Sequence, residues 1–143
     1  MMDSAPLTVT RAMTLDLIDA SGAATPLEAQ LRYESDDPYA ISAEFSTGAE
    51  SVGWVFARDL LASGLYEPAG DGDVHVWPCL DSDGHAVVII ELCSPDGEAL
   101  VQAKTGDLSS FVDRMSKVVE IGNESAHLNV DDAIKAIFAA EAA

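Results

Sequence analysis

The sequence predicts an α+β fold, with mostly antiparallel sheets followed by a C-terminal helical hairpin. Three observations carry that expectation. Apolar and polar residues alternate with period two through most of the first two-thirds of the chain. Turn clusters such as Asp71-Gly72-Asp73 and Pro95-Asp96-Gly97 punctuate those runs. Beyond Thr105 the pattern changes to apolar stripes at helical spacing. No internal repeat or linker interrupts residues 1–143, so a single domain is expected.

The first strand is predicted over Leu7 to Leu17, where Leu7, Val9, Met13, Leu15 and Leu17 share one face and Arg11 is that face's only charge. Gly22 to Pro26 reads as a turn, and Leu27 to Tyr33 as a second strand. Asp36-Asp37-Pro38 breaks the chain, because proline holds its predecessor extended. Ile41, Ala43 and Phe45 mark a third strand, and Val52, Trp54 and Phe56 a fourth. A short helix should follow from Arg58 to Ser63, with Gly64 ending it in a left-handed conformation.

Val74 to Leu80 forms the next strand, with Val74 and Val76 on one face and His75, Trp77 and Cys79 on the other. Ala86 to Cys93 is apolar on both faces and so must be covered on both sides. A helix layer can cover one side, and a second sheet or another subunit must cover the other. Trp77 is then either a core residue of such a sandwich or an anchor in a subunit contact. After the hairpin at Pro95-Asp96-Gly97, Leu108, Phe111, Val112, Met115, Val118 and Val119 form an amphipathic helical stripe. Gly122 suits the reversal after it, as a simple cap or as a joint setting the final helix against a partner. Asn129 is placed to cap that helix, with Val130, Ala133, Ile134, Ile137 and Phe138 as its buried stripe.

Twenty-five acidic residues against seven Lys and Arg give a net charge of -18. A surface this anionic repels phosphate backbones and anionic lipid, so neither nucleic-acid binding nor membrane insertion is expected. The longest unbroken apolar runs, such as Ala86 to Ile90, are far too short to cross a bilayer, and the N-terminus has no basic segment followed by an apolar core. These features predict a soluble, cytoplasmic protein. Cys79 and Cys93 sit in apolar strand-like runs and are expected as buried free thiols.

The sequence assembles little chemistry. Gly70 and Gly72 flank an acidic residue, which repels phosphate, and no serine lies in a Gly-x-Ser-x-Gly elbow. The three histidines are His75 on a strand and His85 and His127 in loops. Asp81-Ser82-Asp83-Gly84-His85 gathers oxygen donors and an imidazole but lacks the bidentate Glu of a calcium loop, so a solvated hairpin loop is expected. No catalytic residue, cofactor or metal is predicted.

Several segments between Leu31 and Leu100 together resemble the SsgA/SsgB-like family of actinobacterial sporulation and cell-division proteins. They are Leu31-Arg32-Tyr33, Asp37-Pro38-Tyr39-Ala40, Phe45-Ser46-Thr47-Gly48-Ala49-Glu50 and Trp54-Val55-Phe56-Ala57-Arg58-Asp59-Leu60-Leu61, followed by Gly64-Leu65, Gly72-Asp73-Val74, Val76-Trp77-Pro78 and Ser94-Pro95-Asp96-Gly97-Glu98-Ala99-Leu100. The resemblance implies a non-enzymatic protein, most like SsgB. It implies a role in recruiting or positioning the tubulin-like GTPase FtsZ at the division septum, with SsgA-like partners. It also implies a Whirly-like architecture assembled as a trimer, which would cover the two-sided strand and Trp77. Single-stranded nucleic-acid binding is the alternative that this architecture suggests, and the charge opposes it. Trp77, His75, Arg58 and Gly122 are the candidate subunit or partner contacts. Arg58 and Asp59 are read either as a local ion pair or as a partner contact.

Overall fold

The computed structural model describes residues 7–70 and 72–127. The predicted final helix from Asn129, with its apolar stripe, lies outside the described residues. Eight strands form one sheet: β1 (Thr8–Ile18), β2 (Ala24–Glu34), β3 (Ala40–Ser46), β4 (Ser51–Ala57), β5 (Ala69–Gly70), β6 (Val74–Leu80), β7 (Ala86–Ser94) and β8 (Gly97–Lys104). Their order is β4-β3-β2-β1-β8-β7-β6-β5, and every neighbouring pair is antiparallel. Helix α1 (Arg58–Gly64) packs on β4, β5 and β6, and α2 (Thr105–Val118) on β1, β7 and β8. A 3-10 turn, Glu124–His127, follows.

The sheet consists of two lobes joined by a narrow seam. β1 pairs with β2 along its whole length, but with β8 only through Asp16, Leu17 and Ile18. Strand twist carries the lobes apart at one end of that seam and lets them curl toward each other. Helix α2 packs beside the separated stretch of β1. There Arg11 Nη2 bonds Asp107 Oδ1 at 2.9 Å, and Arg114 Nη1 donates to the Thr10 carbonyl. The one charge on the apolar face of β1 is therefore the tie to the first turn of α2, where an acidic residue also suits the helix dipole.

One core joins both lobes and both helices. Leu31, Tyr33 and Ile41 come from one lobe, Val76, Val88 and Ile90 from the other, and Leu61, Phe111 and Met115 from the helices. This changes the expected layering. The inward face of β7 is covered by the curl of its own sheet and by α2, and no second sheet occurs among the described residues. Its outward face is only partly closed, with Val87 buried and Ile89 half-buried.

Gly64 also departs from expectation. It is a buried helical residue whose φ is not positive. Its lack of a side chain serves packing: a Cβ there would lie 2.2 Å from Val76 Cγ1. Gly122, expected at a chain reversal, takes a left-handed conformation there, at φ 93°.

Candidate functional site

Arg58 is wholly buried, and it organises the polar interior. Strand β4 ends at Ala57, and the Arg58 amide donates to the Tyr39 carbonyl at 2.8 Å. The side chain then runs inward. Nη1 donates to the Tyr33 hydroxyl at 2.6 Å, and Nη2 to the Val119 carbonyl at 2.9 Å. Nε lies 3.3 Å from Glu124 Oε2, an ion pair without the alignment of a hydrogen bond. The guanidinium also stands 5.3 Å from the centre of the Tyr33 ring. The Tyr33 hydroxyl in turn donates to the Pro38 carbonyl at 2.9 Å. Glu124 Oε1 accepts the Gly122 amide at 2.9 Å.

This network corrects the sequence expectation for Arg58. Its side chain is paired with Glu124 rather than Asp59 and presents no surface to a partner. A buried guanidinium must be paired and hydrogen-bonded, and here three separate segments supply the partners, with the Pro38 turn bonded in turn to Tyr33. They are the end of β2, the residue after α2 and the 3-10 turn. Arg58 thus ties the exit of α2 to the lobe formed by β1 to β4. Gly122 remains exposed, and its amide is held by the Glu124 carboxylate of the same network.

Burial pushes the Tyr33 hydroxyl above the ordinary tyrosine range, against the opposing pull of Arg58. A raised folded-state value means that the contribution is complete below the unfolded pKa of about 10 and is lost as pH rises through the folded value. Tyr33→Phe is expected to cost about 1.5–3 kcal/mol in urea unfolding at neutral pH, the range for a hydrogen bond to a charged group. The difference from the parent should shrink in strongly alkaline buffer.

The other predicted contacts lie on the outward face of β6. Trp77 and His75 are half-buried there, and Cys79 is exposed. Cys93, on the corresponding face of β7, is half-buried. Both thiols are free, but neither is buried as expected, because their face points away from the curl of the sheet. Strand β5 pairs only with His75 and Val76, so among the described residues the edge of β6 from Trp77 to Leu80 carries no further strand. Pro78 sits on this edge, where its missing N–H is tolerated, and Leu80 is exposed. Trp54, expected in the core, is half-buried and packs against it.

The polar cluster of the β6–β7 loop has a structural explanation. Asp81 Oδ1 accepts the amides of Asp83 and His85 at 2.9 and 2.8 Å, which closes the β6–β7 hairpin loop. The His85 amide is the main cause that holds the Asp81 carboxyl below its usual range. Between the lobes lies a cleft of about 170 Å³, walled by Leu17, Leu27, Phe45, Trp54, Leu92 and Val101. Among the described residues Glu50 is the only titratable one lining it.

Residues 27–124 match the family described as Streptomyces sporulation and cell division protein, SsgA. The chain belongs to the SsgA family. Within it, the chain is 48% identical over 133 residues to sporulation-specific cell division protein SsgB of Streptomyces coelicolor, covering 92% of this chain and 96% of that one. It is 46% identical to SsgB of Saccharopolyspora erythraea, covering 90% of each chain. Two solved structures share the fold. One, described as relating mutations in SsgB to longitudinal cell division during sporulation of Streptomyces coelicolor, superposes with a TM-score of 0.82 at 48% identity, covering 88% of this chain and 99% of that one. The other, an SsgA-like sporulation-specific cell division protein from Thermobifida fusca, gives 0.83 at 41% identity, covering 94% and 98%. The SsgA-family match runs from β2 to Glu124, so it contains the whole Tyr33–Arg58–Glu124 network.

Tyr33 and Glu124 were not singled out in the sequence. They stand 25 and 66 residues from Arg58. The available signal was a guanidinium inside an apolar run, with Phe56, Leu60 and Leu61 around it. An arginine in such a setting must find a buried acceptor.

Proposed function

We propose that this chain is a non-enzymatic sporulation cell-division protein that positions FtsZ at septation sites through protein–protein contacts. The observation that carries this reading is the 48% identity to SsgB of Streptomyces coelicolor along nearly the full length of both chains. It acts as a single module in the cytoplasm, at the septum, together with SsgA-like partners. Among the described residues no helix is long and apolar enough to cross a membrane. The net charge of -18 favours partners with basic surfaces over nucleic acid. Purified chain should co-pellet with FtsZ polymers. If it neither pellets with FtsZ nor alters polymer assembly, direct recruitment is wrong.

The reading includes a trimer of Whirly-like subunits, for which the curled antiparallel sheet with helices packed on it gives support. The free edge of β6, with Trp77 half-buried and Pro78, Cys79 and Leu80 exposed, is the surface proposed for the subunit contact. Gly122 is proposed to set the chain beyond it against a partner. Light scattering should give the mass of three chains. Trp77→Ala should weaken association by roughly 30-fold, the equivalent of losing an anchor worth about 2 kcal/mol. An unchanged mass and affinity in that variant would place the contact elsewhere.

A further inference from the structure

The outward face of β6 and β7 brings together three side chains that their spacing in the sequence keeps apart. His75 on β6 is directly opposite Glu91 on β7, and Cys93 follows two residues later on the same face. An imidazole nitrogen, a Glu91 carboxylate oxygen and Cys93 Sγ all lie within 4.8 Å of one another. His75 Nδ1 is 3.2 Å from Glu91 Oε1, yet it is shielded from solvent and has no aligned hydrogen-bond partner. An orphaned, shielded ring nitrogen beside a carboxylate and a thiol calls for a ligand that all three can share.

The surroundings hold the imidazole in place and leave it approachable. Gly70 of β5 crosses so close that a Cβ there would lie 2.7 Å from His75 Cα and 3.0 Å from Cδ2. That crossing walls the ring on one side. Beside it is a cavity of about 290 Å³, lined by Pro68, Ala69, Gly70, His75, Trp77 and Glu91. Acidic residues flank the site on β7 and β8, as Glu91 and Glu98. Glu98 of β8 stands opposite Cys93, and the Cys93 amide bonds the Asp73 carbonyl. A cation is the ligand that relieves the repulsion between these acidic groups, and the thiol gives its proton to solvent as the metal–sulfur bond forms.

We propose that His75, Glu91 and Cys93 form a binding site for a zinc-type divalent cation. One nitrogen, one oxygen and one sulfur donor suit zinc, which takes all three at about 2.0–2.3 Å and accepts three protein ligands plus water. Magnesium and calcium favour all-oxygen sets, and Cu(I) favours sulfur. Ligand atoms within 4.8 Å need only small side-chain rotations to reach those bond lengths. The inference goes beyond the division role and stands whether or not FtsZ is bound. It also gives His75 a partner other than a neighbouring subunit.

The test is a titration of metal-free, full-length protein with Co²⁺, followed by displacement with Zn²⁺. One equivalent of Co²⁺ should produce a thiolate-to-cobalt charge-transfer band that Zn²⁺ abolishes. Cys93→Ser should remove the band. His75→Ala should weaken Co²⁺ binding by about 100-fold or more, since loss of a group merely supporting a ligand already costs about 10–100-fold. Cys79→Ser and Asp83→Ala should leave band and affinity unchanged, with circular dichroism confirming that each variant is folded. No band in the parent protein, a band surviving Cys93→Ser, or unchanged affinity in His75→Ala would each overturn the site.

Discussion

Arg58→Ala is expected to lower the unfolding free energy by about 3–5 kcal/mol, the cost of leaving one member of a buried ion pair unmatched. The loss has three sources. Glu124, only 6% exposed, keeps its charge without the guanidinium 3.3 Å away. The Val119 carbonyl loses its 2.9 Å donor. The Tyr33 hydroxyl loses the 2.6 Å contact but keeps its bond to the Pro38 carbonyl. Urea unfolding followed by tryptophan fluorescence measures the effect. Arg58→Met and Glu124→Gln, singly and together, then complete a double-mutant cycle. A coupling of about 1–3 kcal/mol is expected for residues in one network. Strict additivity would mean that Tyr33 and Val119 alone hold the guanidinium, and that the 3-10 turn is not anchored by it.

The second large effect comes from adding a single methyl group. Helix propensity predicts that Gly64→Ala is stabilising by about 0.5–1 kcal/mol, because glycine loses the most conformational freedom in a helix. Packing predicts the opposite sign. The new Cβ would lie 2.2 Å from Val76 Cγ1 and 2.6 Å from Val76 Cβ. Val76 is fully buried on β6, so neither residue has room to retreat. Overpacking of this kind costs about 1–3 kcal/mol, and the observed contacts put this site at the upper end. Sterics therefore outweigh propensity, and a net loss of about 2–3 kcal/mol is expected in thermal or urea unfolding. Adding Val76→Ala removes the Cγ1 clash but not the Cβ one, so the double variant should recover only part of the loss beyond its own cavity. A stabilised Gly64→Ala protein would show that α1 shifts away from β6 at little cost.

These two sites differ in how far the sequence revealed them. Residues near Gly64 announce the end of a short helix, which occurs as expected. The left-handed cap does not occur, because the demand on Gly64 comes from Val76, 12 residues away on another element. Likewise Arg58 was visible as a charge in an apolar run, whereas its partners arrive from β2 and from beyond α2. Cys93 and His75 look unrelated along the chain and become neighbours only through the β6–β7 register.

The sequence by itself determined the local structure: the strands from alternating residues, α2 from its apolar stripe, the tight turn at Pro95-Asp96, and the family from segments whose order and spacing are shared. Those properties depend on near neighbours, so linear order encodes them directly. Tertiary structure alone decided that the strands form one curled sheet rather than two, that Arg58 faces inward, and that both thiols face outward. The reason is the seam between β1 and β8. Only Asp16, Leu17 and Ile18 of β1 pair with β8, and the twist accumulated on either side of that short join selects which face of every strand becomes the interior.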